Sequence, residues 1–465
     1  MKHLLFWSLS IVLILGSSNQ SFAQSPMLAG KVTLSIAKGS MQCEWLLTDY
    51  PAIENYRLLL HAGFNLDYLH NGATAYAFST EREYDMDVSY EAFQYYIPNS
   101  SNDGSFLPDS LRIRYTGAFP VQADTNQAPR MGDWKGNIVF NGKTARMTEQ
   151  ALWYPVLYDA ATNKMLQEVR YDIEVVCEDC KALYLNGSAA VKGQRARFQT
   201  DNAYPLLLFA GDFEFVQSEQ LSFVNTQLSV PQRETLTRWT TETIDFYEQL
   251  LDHPYGERLS YLSGRPYTRK NAWMFVTYPT IAVMGWDDWQ LAQFIDVENG
   301  GLTSFNNVAF LSHEIGHYYF GSLIKPRGVL RWAFLEGITE YLSLQYVRAS
   351  FGEEAYQKRI AGYVNWTQKN ALVPLSEIET YDQISSPYRY AYFPMILTVM
   401  EKELGREAII DWLQYLLALE EVPSCDYTFF RASLLASGLE ESRFAELEVK
   451  YLKGEGAFEA VLKGL

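Results

Sequence analysis

From about residue 28 to 210 apolar and polar positions alternate in short runs divided by polar clusters. Lys31-Val32-Thr33-Leu34-Ser35-Ile36 alternates, and so does Leu111-Arg112-Ile113-Arg114-Tyr115, with turn-forming stretches such as Asn99-Ser100-Ser101-Asn102-Asp103-Gly104 between runs. A period of two with frequent turns predicts half-buried strands, here an antiparallel β domain of sandwich type. Tyr204 to Phe213 reads as its last strand.

Near Val230-Pro231 the period lengthens. Gln232–Leu251, Phe305–Phe320, Val329–Phe351, Pro394–Gly405 and Arg406–Leu419 carry helical spacing, and Asn271–Val276 reads as a strand among them. Pro394 suits a first helical turn and Gly405 a helix end. The tail from Phe429 to Leu465 also reads as helical. The chain thus divides into an N-terminal β domain over 24–213 and a mostly helical domain over 214–465, an α+β architecture.

The first 23 residues stand apart. Lys2 is a short basic start, Leu4 to Gly16 is apolar, and Ser21-Phe22-Ala23 fits a small-x-small cleavage site. This is the pattern of a secretory signal, and its apolar core is too short to span a bilayer comfortably. The sequence predicts export to the periplasm, the cell surface or the medium, with no membrane span once the segment is cut. The net charge of -17 argues against nucleic-acid partners. Of the four cysteines, Cys177 and Cys180 have CxxC spacing, but no second such pair completes a zinc ribbon. A structural disulfide is expected, although the spacing leaves all three pairings with Cys43 and Cys425 open.

The chemistry concentrates at His313-Glu314-Ile315-Gly316-His317 in a chain with only six histidines. Two histidines four apart lie on one helical face, where both imidazoles can hold one metal ion with the intervening glutamate beside it. Eighteen residues later Glu336 opens Glu336-Gly337-Ile338-Thr339-Glu340-Tyr341 on the next helix. Two His, one Glu and an open position make a hydrolytic zinc site, with one Zn2+ per chain. Glu340, one turn beyond Glu336, is placed to accept the free ring N–H of a histidine ligand.

His-Glu-x-x-His, eighteen residues, then Glu-Gly in a helix that contains Trp332 resembles the gluzincin aminopeptidases of the aminopeptidase N type. The resemblance spans roughly 28–465 and implies a thermolysin-like zinc peptidase domain after the β domain. It implies His313, His317 and Glu336 as zinc ligands and Glu314 as the general base. Tyr390, fifteen residues before Gly405, is implied as the donor to the oxyanion, with Tyr388 the next candidate. The family's Lys-Gly-Ala after that tyrosine is replaced by Tyr392-Phe393-Pro394. The family's Gly-x-Met-Glu-Asn strand, whose Glu binds the substrate's amino group, corresponds to Ile281–Asp288. Aligned on Met284, Gly285 replaces the Glu and Trp286 the Asn; Asp287, Asp288 or Glu298 can supply a substitute charge. The expected function is zinc-dependent hydrolysis of peptide bonds, with N-terminal residues released. An endopeptidase, a glycyl-aminopeptidase-like hydrolase and a non-catalytic peptide-binding protein that retains zinc remain as alternatives.

Overall fold

The computed structural model describes residues 25–82, 91–99, 104–122, 133–267, 272–286, 289–370 and 372–465. Residues 1–23, where the sequence predicts a signal segment, and Asn271, Asp287 and Asp288 lie outside the described residues.

The N-terminal half is built from three sheets. The largest has seven strands in the order Arg195–Pro205, Glu168–Cys177, Met27–Ser35, Ser40–Thr48, Leu111–Ala118, Phe64–Asn71 and Thr74–Ala75. Its pairs are antiparallel except Met27–Ser35 with Glu168–Cys177, which run parallel. Alternation works as the sequence predicts: Val169, Tyr171, Ile173, Val175 and Cys177 of one strand are buried while their neighbours are not. A five-stranded sheet containing Tyr56–His61 and Val156–Asp159 shares this core. At its centre Trp45 donates its indole N–H to Tyr115 at 2.7 Å, and Tyr115 donates to the Trp153 carbonyl at 2.6 Å.

The third sheet joins the two halves. In Ala182–Leu185 and Leu208–Gly211 every residue is buried. Leu183, Leu185, Leu208 and Ala210 face the N-terminal core, whereas Ala182, Tyr184 and Phe209 face a separate cluster with Leu262, Phe275, Ala282 and Met284. A strand buried on both faces reads as one apolar run, so only its two neighbours in space reveal which side serves which core. Asn186 donates to the Tyr278 carbonyl at 2.7 Å and accepts from Thr280, closing the junction with buried polar contacts.

The C-terminal half opens with a mixed five-stranded sheet ordered Phe215–Gln217, Ser222–Val224, Ser260–Gly264, Thr280–Met284 and Trp273–Thr277. The predicted strand near Asn271–Val276 is therefore observed over Trp273–Thr277, and it forms the sheet's edge. Around the sheet lie α1 (Val230–Leu251), α2 (Phe305–Gly316), α3 (Ile338–Thr367), α4 (Phe393–Leu404) and α5 (Arg406–Leu417). A reciprocal Ser229–Gln232 capping box starts α1. Ser304 caps α2 by accepting the Asn307 N–H at 3.2 Å. The tail is three shorter helices, Tyr427–Ala436, Glu441–Leu447 and Ala457–Gly464, because Gly438 and Gly454 take positive φ between them. No helix among the described residues is long and apolar enough to cross a membrane.

The Cys177–Cys180 pair forms a disulfide, while Cys43 and Cys425 are buried free thiols. They belong to the cores of different halves, so they have no route to each other.

Candidate metal centre

The centre is built where α2 ends and α3 begins. α2 buries Val308, Leu311 and Ile315 and stays in contact with α1 through a hydrogen bond from the Tyr247 hydroxyl to the Ser312 carbonyl, 3.0 Å. His313 lies in its last turn and His317 at its C-cap, still with right-handed helical backbone. The helix stops at Gly316 rather than running on to Phe320, and the four-residue spacing survives because His317 keeps its N–H to the His313 carbonyl at 3.2 Å. The two imidazoles are 4.6 Å apart and perpendicular.

Glu336 arrives on a single π-helical turn, Ala333–Gly337, in which the Ile338 N–H reaches back to the Ala333 carbonyl. Such turns insert one residue into a helix and re-aim the side chains they carry. Glu336 Oε2 ends 3.2 Å from His313 Nε2 and 3.4 Å from His317 Nε2. The three ligand atoms lie within 4.8 Å of one another.

The other ring nitrogens are fixed from outside. His313 Nδ1 faces Glu340 Oε2 at 2.9 Å, and His317 Nδ1 faces the Phe320 carbonyl at 3.2 Å. Both contacts call for a proton on Nδ1, which leaves the Nε2 lone pairs converging beside a carboxylate. Two lone pairs and a carboxylate aimed at one point are a set that could hold a metal cation. The ring of His313 registers the carboxylates around it: burial disfavours its charged form, but hydrogen bonds to Glu336 and Glu340 win and push it up to about 10. Two nitrogens and one carboxylate oxygen are a donor set that suits zinc.

Glu340 is itself held by Arg359 and Tyr363, so a chain of charge runs from the histidine to an arginine farther along α3. Glu314 is buried at 7% exposure, and its carboxylate enters no hydrogen bond or ion pair among the described residues. Burial raises its pKa, opposed by the two histidines.

A second π-helical turn, Tyr388–Tyr392, meets the first. Gly337 permits the contact: a Cβ built there would lie 2.5 Å from Phe393 Cδ1 and 3.1 Å from the Arg389 carbonyl. Of the three tyrosines, Tyr388 and Tyr392 are buried core residues with rings 5.0 Å apart. Tyr390 is the one turned to the centre, its ring 5.9 Å from that of His313. Burial, then the charges of Glu336 and Glu314, raise its pKa well above the ordinary phenol value, with Arg389 in opposition. Its hydroxyl therefore keeps its proton and remains a donor.

The stretch assigned to substrate binding is displaced. Thr280–Met284 is an inner strand with neighbours on both sides, and Met284 is 1% exposed in the core. It offers no surface to a substrate, a correction to the expectation drawn from the motif. Gly285 sits where the Trp289 carbonyl crosses directly against it, and a Cβ there would collide with that oxygen. No side chain fits, so the residue is fixed by this turn. Glu298 lies exposed in the turn between Ile295–Asp296 and Gly301–Leu302, a hairpin tied to α1 by Arg238 on the Gly300 carbonyl at 2.9 Å. It makes no contact with the zinc set. The edge strand that accompanies α2 is Trp273–Thr277.

Several contributors escaped the sequence reading. Lys135 from the N-terminal half lies over the Phe275 ring at 5.9 Å, pairs with buried Glu149, and adds positive potential at Glu314. Arg359, Tyr363 and Arg389 were likewise missed. Lys135 is 178 positions from His313, and no spacing rule links them. Arg359 and Tyr363 do share one helical face, but that alone reads as a solvated pair.

No protein-family model matches the chain, and no curated protein does either. Solved structures do. The native leukotriene A4 hydrolase of Saccharomyces cerevisiae superposes with a TM-score of 0.65 at 13% identity, over 92% of this chain and 67% of that one. A second native structure of the yeast hydrolase gives the same TM-score and identity, with 66% of its length covered, so the chain spans about two thirds of those enzymes. A variant of the M1 zinc metallopeptidase from Deinococcus radiodurans gives 0.60 at 13% identity, over 93% of this chain and 94% of that one. The common ground is the fold: a sheet-rich N-terminal region followed by a helical region.

Proposed function

We propose that this chain is an exported zinc metallopeptidase that hydrolyses peptide bonds and releases N-terminal residues from peptides. The observation that carries the reading is the convergence of His313 Nε2, His317 Nε2 and Glu336 beside a carboxylate, Glu314, that has no structural task. A binding or purely structural zinc site closes its fourth position and needs no such base. Likeness in fold to a solved hydrolase and a solved zinc metallopeptidase supports the class. The start of the sequence and the Cys177–Cys180 disulfide support export to an oxidising compartment.

A zinc ion held by His313, His317 and Glu336 would supply Lewis-acid polarisation of the scissile carbonyl and make water acidic enough to attack at neutral pH. The chain's own groups do the rest. Glu314 accepts the proton of the attacking water and passes it to the leaving nitrogen, work worth about 10²–10⁴ in rate. The Tyr390 hydroxyl donates to the oxygen as it becomes anionic, worth about 10²–10³. Glu340 and the Phe320 carbonyl hold both imidazoles in the tautomer that leaves Nε2 unprotonated. An extended peptide would align along the edge strand Trp273–Thr277, whose outer side pairs with no strand among the described residues.

Gly285 cannot provide an anchor for a substrate's amino group, so the preference for N-termini is the part of this reading under most strain. The test is zinc-loaded protein with a mixed pool of free and N-acetylated peptides, a Glu314→Gln control, and products read by mass spectrometry. Loss of single N-terminal residues from free peptides alone supports release of N-terminal residues. Internal cuts, or equal cleavage of blocked peptides, replace it with endopeptidase action. Absence of Glu314-dependent cleavage removes the peptidase reading.

A further inference from the structure

Arg389 precedes Tyr390 in the second π-helical turn. Its guanidinium carbon lies 4.7 Å from the centre of the Trp332 ring and 5.1 Å from that of Tyr390. Trp332 is one turn before Glu336, and Tyr390 stands beside His313, so the cation sits at the lip of the metal centre. Its carbonyl packs on Gly337, which ties the turn to the Glu336 segment.

What sets Arg389 apart is the lack of an anion. Among the described residues three other half-buried or buried guanidinium groups each have a carboxylate: Arg146 with Asp133 at 2.7 Å, Arg348 with Glu401 at 2.9 Å, and Arg359 with Glu340. Arg389 has none among the described residues. Its one polar contact is Nη2 to Ser386 Oγ at 3.4 Å, and its Nε is buried without an acceptor. A second cation, Arg331, lies over the same Trp332 ring at 5.3 Å and over Tyr381 at 4.3 Å. A stacked guanidinium keeps its N–H edge free and rigid, the arrangement suited to a bidentate carboxylate.

We propose that Arg389, stacked on Trp332 beside Tyr390, anchors a carboxylate of the substrate. The inference rests on the zinc peptidase reading for its setting and narrows the substrates to peptides that carry a carboxylate near the scissile bond. Two sources share that chemistry: the free C-terminus of a short peptide, and an Asp or Glu side chain.

The experiment measures kcat/KM of the zinc-loaded full chain on matched pairs, C-terminal acid against amide, Asp against Asn, and Glu against Gln. The expected preference for the carboxylate partner in one pair is about tenfold or more, the scale of one charge-assisted hydrogen bond. The pair that shows it identifies the source. In Arg389→Gln the acid-to-neutral ratio should fall to near one, and Arg389→Lys should keep part of it. Zinc content and melting temperature establish that both variants fold. In parallel, calorimetry on zinc-loaded Glu314→Gln compares binding of the same acids and neutral partners without turnover. No preference in any pair, or a preference that persists in Arg389→Gln, overturns the anchor. An equal loss on both members of a pair also overturns it, since Arg389 would then act through Tyr390. Absence of cleavage with the binding preference intact and lost in Arg389→Gln would sink the peptidase reading while the anchor stands.

Discussion

Replacing Glu340 by glutamine removes a charge without removing volume, and the surroundings fix the consequence. Glu340 is 6% exposed and bonded on both oxygens, Oε2 to His313 Nδ1 at 2.9 Å and Oε1 to Arg359 and Tyr363. Burial pushes its carboxyl up, but Arg359 and then His313 outweigh that and bring it down to about 2. A glutamine amide can accept on one side only. With its oxygen toward Arg359, its NH2 meets His313 Nδ1 and drives the imidazole proton to Nε2, the atom that should face the metal. With its oxygen toward His313, its NH2 is set against a guanidinium. Losing a hydrogen bond between charged groups costs about 1.5–3 kcal/mol. Arg359 keeps Asn306 Oδ1 at 3.2 Å and the Tyr363 hydroxyl at 3.0 Å, so the lower end of that range applies. Zinc affinity should fall about 10–100-fold, the usual effect of losing a group that orients a ligand. Glu340→Ala strands Arg359 without an anion and should cost about 3–5 kcal/mol in stability. Competition against a chelator of known affinity gives the zinc constant, and melting with and without EDTA gives the stability. A Glu340→Gln protein that melts normally and binds zinc as tightly as the parent would refute the orienting role.

His317→Ala should take zinc from one per chain to none after dialysis, by elemental analysis, and acid should release the metal through the histidine range because ligating imidazoles must be neutral; a flat metal content there counts against histidine ligation. Gly337→Ala forces a Cβ to within 2.5 Å of Phe393 Cδ1, which should destabilise the fold by about 1–3 kcal/mol and lower kcat as Tyr390 shifts, with zinc content retained; melting curves and steady-state kinetics separate the two. His61 is pushed down to about 4 by burial, and its Nδ1 accepts the Gly63 N–H at 2.9 Å, which also requires the neutral ring. Its folded pKa lies below its unfolded value, so the unfolded chain binds the extra proton and stability falls as pH drops from about 6.5 to 4. The loss is at most about 3 kcal/mol at 1.36 per unit, because Glu91 at 3.9 Å favours the charged form; denaturant melts against pH should show a slope that His61→Gln flattens.

Local sequence carried the candidate metal ligands because each rests on short-range geometry. The His313–His317 spacing defines one helical face, and it persists although α2 ends at Gly316. The break predicted at Phe351 coincides with Gly352, whose φ of 79° interrupts α3, because a glycine in that conformation ends a helix whatever surrounds it. For Met284 and Gly285 the opposite holds, since their setting depends on strand order. Whether a strand lies at an edge or inside a sheet is a property of strand order, which an alignment on Met284 does not carry. The chain returns so that Trp273–Thr277 takes the edge and Thr280–Met284 the interior.

The sequence by itself determined the two-part architecture, the helix that carries His313 and His317, and the carboxylates Glu336 and Glu340 one turn apart beyond it. Periodicity and spacing within some twenty residues suffice for these, since backbone geometry converts them directly into faces. Only the tertiary structure decided that Tyr390, rather than Tyr388 or Tyr392, turns to the centre. It also decided that Glu340 is locked by Arg359, that the charge of Lys135 in the other half acts on Glu314, and that Arg389 lies on Trp332 without an anion among the described residues. These depend on how two π-helical turns pack through Gly337 and how one doubly buried sheet joins two cores, and such packing between distant segments leaves no periodic trace along the chain.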